Sequence, residues 1–192
     1  MKLYLTIIGI AMLIISAFNI VFGTATWYYI VIATVFCTAL QFLLDGIVAI
    51  AINKMPDTWF GVDNPMYSVS PREREIYKKL KVKRWKNKVW ELGGLGGFSK
   101  GAISSPDDPK YIEKFIIECN KGVLTHRIGY AVGFLAMLTL KMPCAVTIAM
   151  PVAIVNLFLN VLPTIVLRNN PPLLKSILIK LKKRSPENRF AQ

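Results

Sequence analysis

His126 is the only histidine among 192 residues. Histidine is the side chain whose proton affinity suits general acid–base work near neutral pH. Glu118, Gly122 and His126 recur every fourth residue, so a helix sets them in one stripe with Gly122 leaving a gap. Eight residues of helix cover about 12 Å, too far for direct contact between the acid and the imidazole. A reacting group over Gly122 would lie between them. The other reading makes His126, beside Arg127, a marker of the membrane boundary. Asp45 is the only acid inside an apolar block and lies about 13 Å of helix inward from Lys54. Asn156 and Asn160 are four apart, and Asn160 precedes Arg168 by eight residues, a depth similar to that of Asp45. A carboxylate in hydrocarbon is expensive, so an Asp45–Asn160 contact is expected, either as glue between helices or as part of a substrate cavity. Cys37, Cys119 and Cys144 show no CxxC spacing, so no disulfide framework, metal or other cofactor is indicated. Cys119 as a covalent acyl carrier competes with simple packing.

The elements that must position these residues follow from how charge is distributed. The chain is 54% hydrophobic yet has a net charge of +13, and the two properties occupy separate blocks. No charged residue occurs from Leu3 to Leu44 or from Met142 to Leu167. About 20 apolar residues suffice to cross a bilayer as a helix, which excludes a cytosolic globule, a secreted disulfide scaffold and a disordered chain. The run from Leu3 to Phe22 exceeds the roughly 7–15 residues of a signal-peptide core. A retained hairpin is expected instead, with spans at 3–22 and 27–52 and with Trp27, Tyr28 and Tyr29 at headgroup level.

Residues 54–127 hold 15 Lys/Arg and 9 Asp/Glu, and residues 168–192 hold 7 and 1. Basic loops stay on the cytoplasmic side, so both blocks and both termini are expected there, in the cell membrane. The fold class is all-α: a polytopic membrane protein with about four transmembrane helices plus cytoplasmic interfacial helices, in one membrane domain over 1–192. Residues 126–167 then form two short or kinked spans turned near Lys141-Met142-Pro143, with Pro151 and Pro163 bending the last. The alternative is a re-entrant hairpin over 128–150.

The 54–125 region is read as interfacial. Tyr77, Leu80, Trp85, Val89 and Trp90 alternate with Lys78, Lys79, Lys81, Lys83, Arg84, Lys86 and Lys88, as in a helix lying on an anionic membrane face. The block carries no nucleic-acid motif, so membrane lipids rather than nucleic acid are the expected partners. Pro109 to Thr125 is expected to be a helix capped by Asp107 or Asp108. Its apolar stripe is Tyr111, Ile112, Phe115, Ile116, Cys119 and Val123. The tail 168–192 is a basic amphipathic helix.

The order of motifs resembles the small bacterial membrane acyltransferases of the glycosyl-diaponeurosporenoate type, from the staphyloxanthin pathway. Pro56-Asp57-Thr58-Trp59-Phe60 stands where that family has a Pro-Asp-x-x-Phe-like stretch. Tyr77, Val82, Trp85 and Lys86 follow, then a Gly-rich turn from Gly93 to Lys100. Glu118, Lys121, Val123 and His126 match a Glu-Thr-x-Arg-Ala-Glu-x-x-His pattern, and Asn160, Pro163, Leu167, Arg168, Asn169 and Asn170 match the last motif. This chain departs from the pattern at Lys121 (Arg), Val123 (Glu), Leu167 (Gln) and Asn169 (Tyr).

The resemblance implies transfer of a fatty acyl group, from an acyl thioester or lipid donor, to a hydroxyl of a glycolipid. His126 would be the general base with Glu118 beside it on the helix. Lys121, Arg168 or the glycine-loop amides would stabilise the oxyanion or hold donor phosphates. Asn170, Trp85, Lys86, Asp45 and Asn160 complete the expected substrate contacts. The absence of an HxxxxD motif, with Ala131 five residues after His126, argues against the glycerolipid type. The departures support a competing reading, a non-enzymatic lipid-binding or partner subunit on the same scaffold.

Overall fold

A computed structural model describes residues 2–86, 89 and 103–184. The described residues form helices and turns: α1 (Lys2–Phe22), α2 (Trp27–Asn53), α3 (Pro71–Lys79), α4 (Val82–Trp85), α5 (Pro109–Val132), α6 (Met150–Asn169) and α7 (Pro171–Arg184). The protein is an all-α polytopic membrane protein. Three helical stretches, Lys2–Phe22, Trp27–Asn53 and Ala145–Arg184, are long and apolar enough to cross a membrane. The chain groups into two compact units, residues 1–52 with 125–162 and residues 53–124 with 163–192.

The first unit holds α1, α2, the end of α5 and most of α6. Its core is Ile15, Ile30, Ala33, Cys37, Ala136, Ile148, Ala149 and Val152. Leu13, Ile14, Val21, Phe22, Leu43 and Phe158 stay exposed on the protein surface, as lipid-facing side chains must. A soluble monomer rarely leaves so large an apolar area uncovered.

The segment expected to be a short or kinked third span, or part of a re-entrant hairpin, is not among those three membrane-length stretches. α5 continues past Thr125 to Val132, and Gly133–Thr139 then tightens into a 3₁₀ helix. A 3₁₀ turn rises about 2.0 Å per residue against 1.5 Å. Residues 125–139 thereby cover roughly 26 Å, more than the same number of residues in an α-helix would. The following segment starts with a π-helical turn, Ala145–Ala149, before α6. Pro151 has no N–H to donate to the carbonyl of Thr147, four residues back. Asn19 Nδ2, near the end of α1, donates to that carbonyl at 2.8 Å, so a buried polar side chain serves the oxygen the proline leaves behind.

The second unit contains the basic block. Ser70 caps α3 through its Oγ, which accepts from Glu73 N at 3.2 Å, with Pro71 in the first turn. The single interfacial helix expected across 77–90 is interrupted. Leu80 ends α3 and Lys81 is left-handed at φ 51° before α4 begins. On an unbroken helix Tyr77 and Val82 would point roughly 140° apart. Both are buried, at 8% and 1% exposure, and the break lets both enter one cluster with Val166, Val69 and Trp85. Asp108 begins α5, accepting at Oδ1 from Lys110 N (2.9 Å). Ile112, Phe115, Ile116, Cys119 and Val123 are buried along α5, and Leu174 and Leu178 along α7, as their spacing predicts. The Gly93–Lys100 turn, Lys88 and Trp90, and the end of the tail lie outside the described residues.

Candidate active site

Three helices of the first unit contribute residues four apart to one polar seam. α2 supplies Gln41 and Asp45, α6 supplies Asn156 and Asn160, α5 supplies Gly129 about one turn beyond His126, and the 3₁₀ segment that follows starts with Gly133. A Cβ on Gly129 would lie 3.0 Å from Asp45 Oδ1 and 3.1 Å from Asn160 Oδ1. One on Gly133 would lie 2.7 Å from Gln41 Oε1 and 3.1 Å from Asn156 Nδ2. The glycines are therefore what allows polar side chains to lie against the α5 backbone. Gln41, 4% exposed, uses this approach to donate from Nε2 to the Gly133 carbonyl at 2.5 Å.

The expected Asp45–Asn160 contact is present. Asn160 Nδ2 faces Asp45 Oδ2 at 3.1 Å, the Asn156 carbonyl at 3.1 Å and Asn156 Oδ1 at 3.2 Å. Three acceptors around one end of an amide fix that end as the nitrogen. The other end, Oδ1, lies 2.7 Å from His126 Nδ1. An amide oxygen only accepts, so Nδ1 carries a proton, and in the neutral imidazole the lone pair is then on Nε2. The order Asp45, Asn160, His126 is thus a hydrogen-bonded chain that sets the tautomer of the neutral imidazole. Gln41 Oε1, Asp45 Oδ1 and Asn156 Nδ2 are buried without a hydrogen bond of normal geometry, although Asn156 lies beside Asp45.

Glu118 is on α5 with His126 but belongs to the second unit, where its partners are lysines: Lys114 at 3.1 Å and Lys121 at 3.9 Å. Lys121, 5% exposed, reaches Asp57 at 2.5 Å and lies over the Phe60 ring at 5.7 Å. Lys114 joins Asp57 at 2.9 Å. The two ammonium groups, Lys121 first, hold the Asp57 carboxyl below the usual carboxylate range, and Asp57 in turn raises Lys114. The Pro-Asp motif and the lysine 64 residues later are therefore one ion-paired corner, stitched further by Asn120 Nδ2 donating to the Phe60 carbonyl at 2.9 Å.

Arg168 is buried. It forks onto Glu73 through Nε and Nη2 and also donates to the Ser68 carbonyl at 2.9 Å. Arg168 depresses the Glu73 carboxyl, while burial and the neighbouring Glu73 push the Tyr77 hydroxyl up to about 12. Trp85 donates from Nε1 to the Leu80 carbonyl at 2.9 Å, securing the break between α3 and α4. Lys86 ends α4. The Asn170 carbonyl accepts from Leu173 N and Leu174 N at the start of α7. Sequence reasoning missed Gln41, Gly129 and Gly133. Their shared four-residue spacing with Asn156 and Asn160 is the signal that could have found them.

The family model for glycosyl-4,4'-diaponeurosporenoate acyltransferase matches residues 56–180. The chain belongs to that family. Its reaction is an acyl transfer of the glycosyl-diaponeurosporenoate type, in carotenoid biosynthesis. No curated protein and no solved structure gives a match. The matched stretch contains His126, Asn160, Lys121 and Arg168, whereas Gln41 and Asp45 come from α2, ahead of it.

Proposed function

We propose that this family member transfers a fatty acyl group to a hydroxyl of a glycolipid or related membrane lipid, with His126 as general base. The observation that carries the reading is the Asp45–Asn160–His126 chain. Nε2 takes the proton of the acceptor hydroxyl as its oxygen attacks the acyl carbonyl carbon. The tetrahedral adduct then collapses, the bond to the donor's leaving group breaks, and the imidazolium returns the proton to that group. Asn160 keeps the ring in the useful tautomer, and Asp45 holds Asn160. The buried, unpaired Gln41 Oε1, Asp45 Oδ1 and Asn156 Nδ2 support a neighbouring place for hydroxyl groups, which both donate and accept. Lys121 and Arg168 neutralise Asp57 and Glu73 of their own unit, so in this reading they are structural cations.

The test supplies purified protein with a labelled acyl thioester or acyl lipid and extracted membrane lipids. His126→Ala is expected to remain folded and inserted while turnover falls roughly 10²–10⁴-fold. His126→Gln, which hydrogen-bonds but cannot act as the base, should be nearly as inactive. A stable and fully active Gln variant removes His126 from the mechanism.

A further inference from the structure

The second unit contains a pocket of about 100 Å³ lined by Tyr67, Ser68, Arg74, Pro171, Pro172 and Lys175, with Val69 at its edge. We propose that this pocket binds a phosphate group, gripped by Arg74 and Lys175. Neither cation takes part in an ion pair among the described residues, and no carboxylate lines the pocket. Glu73, adjacent to Arg74 in sequence, is engaged instead by Arg168 and Tyr77.

Arg74, exposed, is the fourth residue of α3, and Lys175, half-buried, the fifth of α7, so both cations stand toward helix N-termini, whose dipoles favour an anion. Backbone donors at α7 are already used: Leu173 N and Leu174 N bond the Asn170 carbonyl, and Pro171 and Pro172 have no N–H. The Ser68 hydroxyl donates to the Pro65 carbonyl at 2.8 Å. Recognition therefore falls to the guanidinium, which can fork onto two phosphate oxygens, and the ammonium, which acts as a point charge. The volume is far below the roughly 300–1,000 Å³ of pockets that engulf a whole ligand. It suits a single headgroup-sized anion whose remainder lies outside, either the phosphate of a membrane lipid or that of a soluble phosphoester.

The experiment uses the full chain in neutral detergent and reads thermal unfolding. Inorganic phosphate is titrated against chloride at equal ionic strength, and phosphatidic acid against diacylglycerol with the same chains. Phosphate-bearing additives are expected to raise the melting temperature saturably. Arg74→Gln and Lys175→Gln should each weaken the apparent affinity roughly tenfold, and a Lys180→Gln control should leave it unchanged. A response to phosphatidic acid at far lower concentration than to inorganic phosphate assigns a lipid headgroup, and an equal response assigns a soluble phosphoester. If Arg74→Gln does not fold, Lys175→Gln alone carries the comparison. No shift with either phosphate source, or a shift that survives both substitutions, overturns the proposal. Acyl transfer is not the readout, so failure here leaves the His126 reading untouched.

Discussion

Replacing Gly133 with alanine should destabilise the protein through one identifiable contact. In a regular helix the exchange favours alanine by up to about 1 kcal/mol. Here the new Cβ would lie 2.7 Å from Gln41 Oε1. Gln41 has a flexible end and can rotate away, but doing so breaks its 2.5 Å bond to the Gly133 carbonyl and leaves buried groups unpaired. That loss is about 1–3 kcal/mol, so the net cost is up to about 2 kcal/mol, a fall of up to roughly 8 °C in melting temperature for a chain of this size. Gly9 and Gly46 have nothing within 4 Å of the same added atom, so alanine at either should be neutral or slightly stabilising. The decisive assay is a double-mutant cycle in detergent. In a Gln41→Ala background the 2.7 Å clash is gone, leaving the 3.1 Å approach to Asn156 Nδ2, and Gly133→Ala should cost much less. If Gly133→Ala is as harmless as Gly9→Ala, or its cost is unchanged without Gln41, the seam does not depend on that close approach.

Asp45→Asn should be tolerated better than Asp45→Leu, because Asn keeps an acceptor for Asn160 Nδ2. Equal melting temperatures for the two variants would deny the hydrogen bond any weight. Glu73, held below its usual range by Arg168, contributes stability that is present above the ordinary carboxylate pKa of about 4.3 and is lost as pH falls through the lower folded value. Melting temperature followed from pH 6 to pH 3 should therefore drop steeply in the wild type and less in Glu73→Gln; parallel curves would sink the linkage. Both termini and the basic block are expected on the cytoplasmic side. A Ser104→Cys protein with its native cysteines replaced should thus resist an impermeant thiol reagent added outside intact cells, and ready labelling would reverse the topology.

Blocks of charge and apolarity were enough to show a membrane protein, because the cost of charge in hydrocarbon acts on every residue alone and needs no partner. Equal depth along two apolar stretches was also enough to bring Asp45 and Asn160 together. Helical spacing gave the buried stripe of α5 for a similar reason, since period and face are local properties.

Partners were a different matter. Sequence spacing set Glu118 and His126 on one helical stripe about 12 Å apart, yet the imidazole bonds Asn160 from another helix and Glu118 pairs with Lys114 and Lys121. The α3–α4 break arose because Tyr77 and Val82 had to enter the same core, a demand no local propensity expresses. Asp57 and Lys121, and Glu73 and Arg168, meet across 64 and 95 residues. By itself the sequence determined which segments favour lipid and which helix faces are apolar. Only the tertiary structure decided which nitrogen of His126 donates to Asn160, because that depends on which end of a distant amide reaches it.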